Sequence, residues 1–85
     1  MYDDVFQFIK GVLTDMNFDT EAVTAETDLG PNGLDLESLA IAEVSIQVED
    51  RYGVKFAEDE AEQVALMNVG ALVQEIVTRA AAVAK

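Results

Sequence analysis

Gly33-Leu34-Asp35-Leu36-Glu37-Ser38-Leu39 is the stretch on which the reading of this chain turns. A glycine-bearing loop gives way to a serine, and the serine opens a helical pattern that runs to Tyr52-Gly53. Along that run Ile41, Val44, Val48 and Tyr52 recur at three- and four-residue steps, which at about 100° per residue places them on one side of a helix. Ser38 has the hydroxyl preferred at N-caps, and Gly53 has the freedom a left-handed C-cap requires. The chain contains no histidine and no cysteine, so the Ser38 hydroxyl lacks the base that would make it a nucleophile in its own right. A reactive-looking position without catalytic equipment fits a residue that another protein modifies. On local context alone, a plain capping role is the favoured reading.

The flanking segments are also helical. Val5, Phe6, Ile9, Val12, Leu13 and Met16 predict an amphipathic helix from Asp3 to about Met16, with Asp3 and Asp4 favoured by the dipole at its start. Asn17 to Glu37 reads as a long connection whose clearest turn signal is Gly30-Pro31-Asn32-Gly33. A loop of that length needs its own apolar plugs or a function. Val23, Leu29, Leu34 and Leu36 are the candidate plugs, with a short helical turn expected at Thr20 to Ala25. Val54 and Phe56 form an apolar bridge to a short acidic helix over Glu58–Val64. Asn68 caps a last helix carried by Val69, Leu72, Val73, Ile76, Val77 and Ala80, whose alanine-rich tail to Lys85 is expected to fray. With no strand alternation, repeat or linker, the expected class is all-α. The architecture is a four-helix bundle of three longer helices and one short helix, with the long loop between the first and second.

The helix that begins at Ser38 faces two ways. Leu39, Ala42 and Ile46 fall outside its core stripe, among Glu43, Glu49 and Asp50. Single exposed apolar residues are ordinary. Three of them rimmed by acids beside the loop serine point to a docking face.

Composition bounds the possibilities. Eighty-five residues allow one small domain, 1–85, with a modest core. Seventeen acids oppose five bases, a net charge of −12, and the ten acids between Gly11 and Asp50 meet no Lys or Arg. Such a surface argues against nucleic-acid and membrane partners and favours proteins with basic patches, although acidity that only keeps the chain in solution is an equal reading. The absent cysteine excludes disulfides and thiolate metal sites. An acidic N-terminus without an apolar run leads to the expectation of a cytoplasmic monomer. Met1 and the absence of linkers suggest a freestanding protein. An EF-hand alignment starting at Asp28 fails, because Leu39 falls where the bidentate Glu belongs, so no metal site is expected. A phosphate loop is missing as well, and the chain leaves little room for a sugar-sized cleft, so catalysis is not expected.

At Leu34-Asp35-Leu36-Glu37-Ser38-Leu39, followed by Glu43, Val48, Glu49, Tyr52-Gly53-Val54 and Phe56, the sequence resembles an acyl carrier protein over nearly its whole length. The resemblance implies that Ser38 receives 4′-phosphopantetheine from coenzyme A through a phosphopantetheinyl transferase. The arm's thiol would then hold acyl groups as thioesters, which suits a protein without cysteine. It also implies that Asp35, Glu37, Leu39, Glu43 and Ile46, with Glu49 and Asp50 as further acids, form the docking surface. The expected partners are basic-surfaced enzymes such as an acyltransferase or a ketosynthase. Glu37 stands where the family most often has Asp. With the Gly30–Gly33 loop and Ala40-Ile41-Ala42, it points toward a specialised, polyketide-like pathway rather than housekeeping fatty-acid synthesis. A peptidyl carrier loaded with aminoacyl groups, and a cofactor-free acidic interaction module, are the rival readings.

Overall fold

The computed structural model describes residues 2–31 and 33–83, leaving aside the Glu58 side chain. Four α-helices follow one another: α1 Tyr2–Asp15, α2 Ser38–Tyr52, α3 Ala61–Ala65 and α4 Val69–Val83, with a 3-10 turn at Glu58–Glu60 leading into α3. Three long helices, one short helix and a long first loop match the expected class. The one extended pairing among the described residues is an isolated bridge between Asp28 and Asn68.

The apolar periodicity explains the packing. Val5, Ile9, Val12 and Leu13 of α1, Ile41, Val44 and Val48 of α2, and Val69, Leu72, Val73, Ile76 and Ala80 of α4 are all buried in one core. Phe8, midway along α1, packs edge-to-face on Tyr52 at the end of α2, with ring centroids 5.3 Å apart. Met16 and Phe18, just past α1, share a cleft with Glu37 and Leu39 at the start of α2. The two helices therefore run antiparallel.

The long loop is anchored rather than loose. Val23, Leu29 and Leu36 are buried and Leu34 is partly so, as expected of plugs. Its backbone is tied to the start of α4, with the Leu29 N–H donating to Met67 C=O at 3.0 Å, Val69 N–H to Thr27 C=O at 2.8 Å and Gly70 N–H to Ala25 C=O at 2.8 Å. Gly33 is required at its tip, because a Cβ there would run into the Asp28 backbone, its carbonyl oxygen first.

Several boundaries correct the sequence reading. Ser38 is not the N-cap of α2. Glu37 occupies that position in extended conformation and its side chain caps nothing, so Ser38 is the first helical residue. In place of the helical turn expected at Thr20–Ala25 there are two successive hydrogen-bonded turns, Thr20–Val23 and Thr24–Thr27, closed by Val23 N–H to Thr20 C=O and Thr27 N–H to Thr24 C=O. The acidic helix at Glu58–Val64 divides into the 3-10 turn and α3. Gly53 does close α2, at φ 71° with its N–H on Glu49 C=O. Asn68 does cap α4, its Oδ1 accepting the Ala71 N–H at 2.7 Å. The Ala84-Lys85 end of the expected tail, and Asn32 of the turn signal, lie outside the described residues.

Candidate functional site

The loop delivers Ser38 to the outside of the bundle. Leu36 is buried and its N–H donates to Leu29 C=O at 2.8 Å, which pins the chain two residues before the serine. Asp35 has φ 54°, a left-handed conformation that aspartate tolerates better than most side chains. It turns the chain so that Glu37, Ser38 and Leu39 are all exposed. The first backbone hydrogen bond of α2 runs from Ile41 N–H to Glu37 C=O at 3.0 Å. The Ser38, Leu39 and Ala40 N–H groups thus precede the helical ladder and form the positive end of the helix dipole.

Two clefts flank this point. One, of about 340 Å³, is lined by Leu36, Ser38, Ile41, Ala61 and Ala65, together with the acids Glu37 and Glu62. It shares Ile41 and Ala61 with a second cleft of about 410 Å³, lined farther along by Ala42, Ser45, Ile46, Glu49, Phe56 and Ala57. The pair makes a largely apolar groove between α2 and the segment that contains α3.

The residues expected to form a docking surface are all exposed: Asp35, Glu37, Leu39, Glu43, Ile46, Glu49 and Asp50. Leu39, Glu43, Ile46 and Asp50 follow at four, three and four residues, one continuous row on α2. Leu39 is 83% exposed and Ile46 59%. Glu43 is held by the Gln47 side-chain amide, which donates to its Oε1 at 3.1 Å. Asp35 and Glu37 gather instead around Leu39 at a third cleft with Met16, Phe18 and Ala40. Sequence reasoning missed Leu66, at the end of α3 and 86% exposed, because the unbroken apolar run Val64-Ala65-Leu66-Met67 has no polar spacing to set a face.

No three His, Cys, Asp or Glu side chains among the described residues gather to hold a metal ion. At Asp28, the start of the rejected EF-hand alignment, it is the carbonyl that organises the loop, accepting the Leu34 N–H at 2.8 Å.

Sequence relatives decide what kind of protein carries this arrangement. An acyl carrier protein of Coprothermobacter proteolyticus is 32% identical over 63 residues, covering 73% of this chain and 76% of the relative. One of Lactobacillus acidophilus is 34% identical over 64 residues, covering 73% and 78%. The chain belongs to the acyl carrier protein family. No protein-family model matches it. Acyl carrier proteins are carriers rather than catalysts, so this family fits a site that presents a hydroxyl without a histidine or cysteine anywhere in the chain.

Proposed function

We propose that Ser38 is the attachment point for 4′-phosphopantetheine, and that this chain carries acyl groups and delivers them to biosynthetic enzymes. The observation that carries the reading is the exposed Ser38 hydroxyl at the first residue of α2, beside N–H groups that precede the helical ladder. Such groups favour an anion. The residues fit a phosphodiester at that oxygen, although Glu37 and Glu62 line the neighbouring cleft and oppose its charge. In the transfer, the Ser38 oxygen bonds to phosphorus and loses its proton to a base of the transferase. The 3′,5′-ADP half of coenzyme A departs. Once bound, the arm supplies a thiol on which acyl groups are held as thioesters.

The chain's own residues do the rest. The groove past Ile41 and Ala61 offers an apolar chain a place beside α2. The row Leu39, Glu43, Ile46 and Asp50, joined by Asp35, Glu37 and Glu49, offers a basic-surfaced enzyme an apolar centre with acidic surroundings. A transferase, an acyltransferase and a ketosynthase are partners of that kind. The Gly30–Gly33 loop, Ala40-Ile41-Ala42 and Glu37 before the serine support a polyketide-like pathway over housekeeping fatty-acid synthesis.

Intact mass tests the reading. After incubation with coenzyme A and a broad-specificity phosphopantetheinyl transferase, the protein should gain one phosphopantetheine and Ser38→Ala should gain none. No gain with several transferases would leave a cofactor-free docking module. If mass is gained, competition between acyl- and aminoacyl-coenzyme A cargo at the partner enzymes separates an acyl carrier from a peptidyl one.

A further inference from the structure

All three guanidinium nitrogens of Arg79 on α4 are engaged, two of them with the segment between α2 and α3. Nε donates to Glu75 Oε2 at 3.1 Å, one terminal nitrogen to Glu60 Oε2 at 2.6 Å, and the other to the Lys55 carbonyl at 3.1 Å. Its central carbon, Cζ, lies over the Phe56 ring, 4.5 Å from the centroid. Glu60 passes the connection on, its Oε1 accepting the Ala57 N–H at 3.3 Å. An isolated surface ion pair would fix little. A planar fork with three acceptors and an aromatic ring beneath its cation fixes direction as well as distance. The residues it holds, Phe56 and Ala57, are the wall of the groove opposite Ile41, Ala42 and Ile46.

We propose that Arg79 is a positioning residue for the cargo: by holding Phe56 and residues 55–60 against α4, it sets the groove wall on which a chain carried at Ser38 packs. This rests on the reading of Ser38 as the attachment point. The physical ground is that an apolar chain gains dispersion contacts only against a surface that stays in reach, and a gap of well under an ångström forfeits a large part of them. With the guanidinium removed, residues 55–60 lose the tie to Lys55, Glu60 and the Phe56 ring together, and the wall loses its fixed position.

The test loads wild type, Arg79→Gln, Arg79→Lys, Phe56→Leu and the Arg79→Gln/Phe56→Leu double variant with a series of straight-chain acyl-coenzyme A, using the transferase. It then follows the melting temperature of each acyl form relative to the form bearing the unacylated arm. Wild type should gain melting temperature as the chain lengthens. That dependence should be roughly halved in Arg79→Gln and in Phe56→Leu, with no further loss in the double variant, because both act on one wall. Arg79→Lys keeps the charge toward Glu60 but not the planar fork, so it remains folded if Arg79→Gln does not, and it should weaken the dependence as well. A purely structural Arg79 would lower every form equally and leave the chain-length dependence intact, which overturns the inference. Additive losses in the double variant, or no chain-length dependence in wild type, would also overturn it. Failure of wild type to gain mass at Ser38 would instead remove the reading beneath it.

Discussion

Glu37 and Ser38 exchange the roles their side chains suggest. Serine is the better cap by type, yet the cap position, with φ −85° and ψ 170°, belongs to Glu37, whose carboxylate does not reach the free N–H groups of the first turn. A side chain one methylene shorter does reach them in many helices. Glu37→Asp should therefore stabilise the fold by about 0.5–1 kcal/mol, read as a higher urea midpoint at unchanged slope. Ser38→Ala should shift it by less than about 0.5 kcal/mol, the range for exposed side chains outside such features. If Ser38 were a working cap, the same substitution would cost about 1 kcal/mol. Gly33 is the opposite case, a residue whose missing side chain matters. The Asp28 oxygen that a Cβ would meet also accepts the Leu34 N–H, so it is not free to retreat. Gly33→Ala should destabilise by about 1–3 kcal/mol, as overpacking does, and a midpoint unchanged from wild type would show that the loop yields more easily than its hydrogen bonds imply.

At the scale of elements, what was legible in the sequence is what local rules determine. The 3.6-residue periodicity of α1, α2 and α4 placed their core faces correctly, and Gly53 and Asn68 placed two helix ends. It also separated Leu39 and Ile46 from the buried stripe of α2. The short pieces were less legible: Thr20–Ala25 forms turns rather than helix, and Glu58–Val64 begins as a 3-10 turn, because so few residues have little cooperative preference of their own. The groove and its Arg79 tie were invisible for another reason. Arg79 and Phe56 are 23 positions apart, and nothing local signals their contact. That tie has a pH signature. The Arg79 hydrogen bond, helped by the Ala57 N–H, holds the Glu60 carboxyl below its usual 4.5. A depressed folded-state pKa gives stability that is fully present above 4.5 and is lost as pH falls through the lower folded value. Wild type should accordingly exceed Glu60→Gln in melting temperature near pH 6, and the gap should close as the pH falls below 4.5. A gap that stays constant down to pH 3 would mean that the pair does not hold residues 55–60 in solution.

For the molecule as a whole, charge is the term that the packing leaves least compensated. Seventeen acids and five bases share a body with a radius of gyration of 11.7 Å, and the two salt bridges among the described residues both belong to Arg79. Asp35, Glu37, Glu43, Glu49 and Asp50 are all exposed on or beside α2 with no base before Arg51. In low salt these charges interact across the whole fold, because the screening length of about 30 Å at 0.01 M is comparable with its longest extent of 36 Å. Near 0.15 M that length falls to about 8 Å and only neighbours remain coupled. The folded state concentrates the charges and the unfolded chain spreads them, so screening favours the fold. The melting temperature should rise between low and physiological salt, and rise further with magnesium at matched ionic strength, since a divalent ion neutralises adjacent carboxylates more effectively than a diffuse atmosphere does. The same screening should weaken the encounter with a basic partner enzyme, slowing association far more than it speeds release. Calorimetry and stopped-flow binding across one salt series read the two effects together. A melting temperature indifferent to both salt and magnesium would mean that the acids of α2 are already balanced within the fold.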